Sequence, residues 1–201
     1  MKALITGFDP FGEHAFNPSL ALLRRLRAAP PRDSFAHFAF AHLPTEFDTS
    51  RARLLAALDA EKPDIAIMFG LAATTPTIRL ERVALNLDDA AIPDNAGKLR
   101  RGTPILPDAP LARMTDVDVN ALRDKLDGHG FEVVVSNHAG AYVCNHVYYA
   151  ALHHLATQPW ATTAKSPQAL FVHVPQMAEA DIPRLETLAH ALFRALARPS
   201  A

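Results

Sequence analysis

The sequence holds a single cysteine, Cys144, within the stretch GAYVCNHVYYAALHH that runs from Gly140 to His154. A strand-like run, VVVS, comes before it and a helix-like run comes after it. This order predicts that the thiol sits in the first turn of a helix. Backbone N–H groups in that turn have no intrahelical partner, and the helix dipole is positive there. Both effects favour a thiolate, so a lowered pKa is expected for Cys144. The same N–H groups can hold an oxyanion formed by attack at the sulfur. Gly140 would let the chain approach a substrate closely. The competing reading is a lone cysteine that packs as a small apolar core residue and does no chemistry.

A thiol nucleophile needs a base, and the base needs a group to orient it. Ten histidines compete for the first role. His153 and His154 are adjacent in a helical stretch and read as surface residues. His138 and His146 flank the cysteine, and either is within reach, although sequence neighbours are often splayed apart. His173 lies in the apolar run LFVHVP, near the end of a strand. A ring buried there needs partners for its nitrogens, whether it serves chemistry or the core. Glu81 lies in RLERVALN, where alternation puts Arg79, Glu81 and Val83 on one face. A lone strand carboxylate of this kind ordinarily pairs with an arginine or faces solvent.

Other chemistries are weaker. HEXXH and CXXC are absent, and His138 and His146 are wrongly spaced for shared ligation, so no metal site is expected. GFDPFG lacks the lysine and glycine pattern of a phosphate loop. Its Phe8 and Phe11 read instead as the wall of a small apolar pocket, or as simple loop packing.

The elements that must position these groups alternate. KALITGF, AHFAFAHLP, DIAIMFG, TIRLERVALNL, FEVVVS and ALFVHVP read as strands. Helices are expected at PSLALLRRLRAA with Asn17 as N-cap, at FDTSRARLLAALDAEK, at DVDVNALRDKLDGHG from about Thr115 or Asp116, at Val143–His154 and at Ile182–Ala197. Residues 88–110 are rich in Pro, Asp, Gly and Asn and read as a long, exposed, irregular excursion. Strand–helix alternation implies an α/β fold with a mostly parallel sheet and helices on both faces. Such sheets carry their sites at the carboxyl ends of strands.

The bulk properties agree with an ordinary globular chain. Its 201 residues are 49% apolar and 20% charged, with a formal net charge of −1. One domain spanning 1–201 is expected. The charge balance gives no reason to expect nucleic acid or an anionic membrane as a partner. The N-terminal apolar run is too short for a secretory signal, and no run approaches the ~18 residues of a spanning helix. One cysteine cannot form an internal disulfide, which suits a reducing, cytoplasmic setting.

TGFDPFGEHAFNPS, RLERVALN, IPDNAG, SNHAGAYVCN and FVHVP together resemble pyroglutamyl peptidase I, a C15 cysteine peptidase, in order and spacing and over nearly the whole chain. The resemblance implies a three-layer α/β/α sandwich around a mostly parallel, twisted sheet. It implies a cysteine exopeptidase that removes N-terminal pyroglutamate (5-oxoproline) from peptides without a cofactor. It also implies a cytoplasmic homo-oligomer, tetramer or dimer. It carries the catalytic roles onto Glu81, Cys144 and His173, and the lactam pocket onto Phe8, Phe11, Ile92, Tyr142 and Val143. Two departures stand out: GLAATTPTI replaces a glycine- and arginine-containing stretch, and Ala91 stands where an arginine is common. Arg79 and Arg82 are the residues that could compensate. The departures leave two alternatives open, a family-shaped binding protein with weakened catalysis, or a cysteine amidohydrolase for another small cyclic amide.

Overall fold

The computed structural model describes residues 1–158, 160 and 166–197; the remainder of the expected 1–201 domain lies outside the described residues. Eight strands and five α-helices follow in chain order: β1 Lys2–Phe8, α1 Pro18–Ala28, β2 His37–Leu43, α2 Phe47–Glu61, β3 Ile65–Leu71, β4 Ile78–Glu81, β5 Val83–Leu85, β6 Ala112–Met114, α3 Val119–Leu126, β7 Val133–Ser136, α4 Val143–Thr157, β8 Gln168–Val174 and α5 Ile182–Ala197. The main sheet has six strands in the order β2-β1-β3-β8-β4-β7. All its neighbours are parallel except β8 and β4.

Two apolar clusters cover the two sides of the sheet, making three layers. Ile65, Ile67 and Phe69 of β3 join Leu170 and Val172 of β8 in a core shared with α1, α3 and α5. The alternate residues Ala66, Met68, Ala169 and Phe171 face α2 and α4. Strands buried on both faces must be apolar at nearly every position, and β3 is buried throughout. Polar residues on the second face, Glu81 and His173, are therefore exceptions that need an explanation.

The local signals work as physical chemistry says they should. The Asn17 side chain accepts from Ser19 N–H and Pro18 occupies the first turn of α1. Lys62 ends α2 in a left-handed conformation, just before Pro63. Asp118 caps α3 by accepting from Asn120 and Ala121, so this helix starts at Val119, later than expected.

Two expectations are corrected. TIRLERVALNL does not form one strand. The chain leaves the main sheet at Arg82, and β5 pairs with β6 in a separate antiparallel pair. The 88–110 excursion is irregular but not free: Asp88, Ala90, Asp94 and Ile105 are buried. Asp94 holds the start of α2, its Oδ2 accepting from Phe47 N–H at 2.9 Å while Oδ1 accepts from Ala96 and Lys98. It supplies the cap that Glu46 does not.

Candidate active site

The imidazole and the carboxylate come from neighbouring antiparallel strands. Arg79 pairs with His173 and Glu81 with Phe171 across β4 and β8, which puts all four side chains on the face toward α4. There His173 Nδ1 lies 2.8 Å from Glu81 Oε1. Glu81 is fully buried and His173 nearly so. With Nδ1 donating to the carboxylate, Nε2 is the nitrogen left to accept a proton.

The sulfur reaches the same spot from α4. Gly70 of β3 is the ladder partner of His173. A methyl placed on Gly70 would stand 2.9 Å from Cys144 Sγ and 2.6 Å from the Phe171 ring. The sulfur thus occupies the space above Gly70 that only a residue without a side chain leaves open, beside the His173 position. Because β7 runs with β4 and against β8, the loop 137–142 must carry the chain back toward the end of β8 before α4 begins. The simple rule that sites follow strand ends holds for β8 and β3, but not for β7.

Cys144 is the second residue of α4. The first intrahelical bond runs from His146 N–H to the Tyr142 carbonyl, at 3.0 Å. The N–H groups of Val143, Cys144 and Asn145 therefore precede the ladder, and the Tyr142 side chain at the N-cap does not cap them. The expected lowering of the thiol pKa does not follow. Burial pushes Cys144 up to about 12, the Glu81 charge adds to this, and the thiol's own backbone contact opposes it only in part. Cys144 as a residue is only half-buried, but its thiol is covered by the protein around it.

An aromatic cluster adjoins the sulfur. The Phe11 and Tyr142 rings are 5.7 Å apart, and Tyr142 and Phe47 are 5.6 Å apart. Ile92 packs beside Gly12, which follows Phe11. Tyr142 donates its hydroxyl to the Pro93 carbonyl at 3.0 Å. Phe11 and Tyr142 are half-buried and Ile92 is exposed, whereas Phe8 and Val143 are buried. Phe8 instead supports Phe171, with centroids 6.1 Å apart.

The whole-chain comparisons now decide the family. The pyroglutamyl peptidase family model matches residues 1–192. The chain belongs to the pyroglutamyl peptidase family. It is 38% identical over 185 residues to the pyrrolidone-carboxylate peptidase of Pyrococcus furiosus, covering 92% of this chain and 86% of that protein. It is 42% identical over 153 residues to pyrrolidone-carboxylate peptidase 2 of Photorhabdus laumondii, covering 76% and 69%. Among solved structures, pyroglutamyl peptidase I of Bacillus amyloliquefaciens superimposes with a TM-score of 0.85 at 30% identity, covering 98% of this chain and 96% of that one. The pyrrolidone carboxyl peptidase of Fervidobacterium islandicum AW-1 gives 0.86 at 30% identity, covering 98% of each.

Other residues of this family member have different work. His146 is buried and turned to Asp88, with Nδ1 2.9 Å from Oδ2. Asp88 also accepts from Arg100. His138 is exposed, and its Nδ1 accepts from Gly140 N–H. His153 receives a bond from Arg113, and His154 bonds Asp59. Arg82 points away, to Asn137 and Asn120. At Ala91 it is the backbone carbonyl that meets a guanidinium, from Arg101 at 3.5 Å. The sequence reading missed Asn145, which is fully buried and clamps β5 to α4 through Leu85 and Leu87. Its adjacency to Cys144 in the motif was the available signal. Among the described residues no three His, Cys, Asp or Glu side chains converge as a metal site requires, and no helix is long and apolar enough to cross a membrane.

Proposed function

We propose that this chain hydrolyses the bond after an N-terminal pyroglutamyl residue of a peptide, with Cys144 as nucleophile, His173 as base and Glu81 as orienting carboxylate. The single observation that carries the reading is the buried Glu81–His173 contact of 2.8 Å, set beside the Gly70 gap that Cys144 Sγ fills.

The raised thiol pKa supports a reaction that starts from the protonated sulfur. The sulfur keeps its proton until His173 Nε2 takes it, as the S–C bond to the substrate carbonyl forms. Glu81 holds the ring in the Nδ1–H tautomer and balances the imidazolium charge. The carbonyl oxygen gains negative charge, which the free first-turn N–H groups of α4 can receive. Collapse of the adduct breaks the C–N bond. The leaving amine takes the proton from His173, and a pyroglutamyl thioester remains on Cys144. Water, deprotonated by His173, attacks the thioester and releases pyroglutamate and the thiol.

Pyroglutamate is compact and uncharged. Phe11, Ile92 and Tyr142 suit its ring, while Phe8 and Val143 are buried in the adjoining core. Leaving its lactam N–H or C=O unpaired would cost ~1–3 kcal/mol each, so a site built for them rejects proline, which lacks the oxo group. The free cysteine supports a reducing, cytoplasmic setting. Leu111, just before β6, and Met114, its last residue, are strongly exposed and support a homo-oligomer.

The test is a panel of pyroglutamyl, prolyl and free-lactam substrates with and without iodoacetamide. The reading predicts hydrolysis of the pyroglutamyl reporter alone, abolished by alkylation. Stabilisation by pyroglutamate without turnover would instead identify a binding protein, and turnover of the free lactam an amidohydrolase.

A further inference from the structure

Arg79 takes no part in the steps above, yet it borders both partners of the buried pair. It is the cross-strand neighbour of His173. Its Nε lies 3.7 Å from Glu81 Oε1, the same oxygen that His173 Nδ1 contacts. Its Nη2 donates to Ser136 Oγ at 2.7 Å, and Ser136 is the β7 partner of Glu81. Ser136 in turn donates to the His138 carbonyl at 3.1 Å. The guanidinium is therefore anchored at both ends, and its side chain is 32% exposed against 0% for Glu81. The second carboxylate oxygen, Oε2, is buried without a partner. The charge of Glu81 is thus compensated through one oxygen only.

We propose that Arg79 is a positioning residue whose fixed positive charge, held beside the Glu81–His173 pair, sets the pH range in which Cys144 and His173 exchange their proton. The proposal rests on the assignment of Cys144, His173 and Glu81 given above.

The groups facing this cluster are few. His173 comes from β8 and Ser136 from β7. Cys144 and Tyr148 come from α4, with the Tyr148 hydroxyl donating to the Glu81 carbonyl at 2.8 Å. Asp116, just before α3, acts on Tyr148 from further off. Arg79 is the fixed cation among them. A fixed cation favours the deprotonated form of every neighbour. Its removal is therefore expected to displace the measured pH profiles upward, whichever group carries a given limb. Partial exposure screens the effect, so the expected displacement is about 0.5–1 pH unit.

The experiment compares wild type with Arg79→Met, Arg79→Gln and Arg79→Lys. Two readouts are taken between about pH 5 and 10: kcat/KM on a pyroglutamyl reporter, and the rate of Cys144 alkylation by iodoacetamide. Met and Gln should displace both profiles upward, while Lys, which keeps the charge, should restore the wild-type position. A merely structural arginine would lower rates without moving the profiles. Superposition of the Met and wild-type profiles overturns the proposal, as does an equal displacement in the Lys variant. If Arg79→Met does not fold, Arg79→Gln, a polar neutral replacement, carries the same comparison. Alkylation does not need turnover, so a wild type that fails to hydrolyse the reporter would count against the functional reading and leave Arg79 tested.

Discussion

His173 and Glu81 are 92 residues apart in sequence and 2.8 Å apart in space, joined through a ring nitrogen and a fully buried carboxylate oxygen. Burying a carboxylate is costly unless it is paired. An apolar side chain would pack this face of β4 at lower cost. On the proposed mechanism the carboxylate adds a defined tautomer for the imidazole and a countercharge for its protonated form. Glu81→Gln keeps the shape and removes the charge. We expect kcat/KM to fall by about 10²- to 10⁴-fold, and by less than in His173→Ala. Steady-state kinetics on a pyroglutamyl reporter checks the order of the two losses.

The Cys144 thiol is held at about 12 by burial and by Glu81. On the proposed mechanism the thiolate forms as His173 accepts the proton. In His173→Ala, alkylation of Cys144 should be slow at neutral pH and should keep rising through about pH 10 without a plateau. A plateau near neutrality would mean that the start of α4 ionises the sulfur by itself.

Gly70→Ala places a methyl 2.6 Å from Phe171 and 2.9 Å from Cys144 Sγ. At these distances the strand, the ring or the sulfur must shift. The substitution should cost about 1–3 kcal/mol of stability and, by misplacing the nucleophile, about 10²-fold in kcat. Thermal denaturation and kinetics measure the two separately. Unchanged kcat would show that the sulfur reacts from another position.

Asp48 ties α2 to the 88–110 excursion through Lys98 and Arg100. These hydrogen bonds hold its carboxyl at about 2, below the ordinary 3.8. The stabilisation is therefore complete above the unfolded-state value and is lost as pH falls through about 2. Asp48→Asn should cost about 0.5–1 kcal/mol at neutral pH, given the exposure of the pair. The difference between variant and wild type should be smaller at about pH 3 than at pH 7. A difference that grows on acidification would refute the assignment.

The legible part of the site was the part written in local pattern. Cys144 at a helix start and His173 in an apolar strand can both be read from their flanks. Glu81 could not, because its meaning depends on β8, whose register against β4 no local pattern reports. The break at Arg82 was hidden for a similar reason: residues 78–85 keep an extended pattern while the chain changes sheets. Asp88 and Asp94 looked exposed because polar composition normally means solvent. Their partners, His146 with Arg100 and the backbone around Phe47, lie too far away in sequence or are main-chain groups. The lowered thiol pKa failed because the sequence shows a helix start but not how much protein covers it.

The account stands or falls on a covalent bond between Cys144 and the substrate's acyl group. Acid-quenching the enzyme during turnover of a pyroglutamyl ester, followed by mass spectrometry of its peptides, tests this directly. The account predicts one pyroglutamyl group on the Cys144 peptide, absent from Cys144→Ala, which should fold normally and be inactive. Continued hydrolysis by Cys144→Ala, or an acyl group found on any other residue, would contradict it.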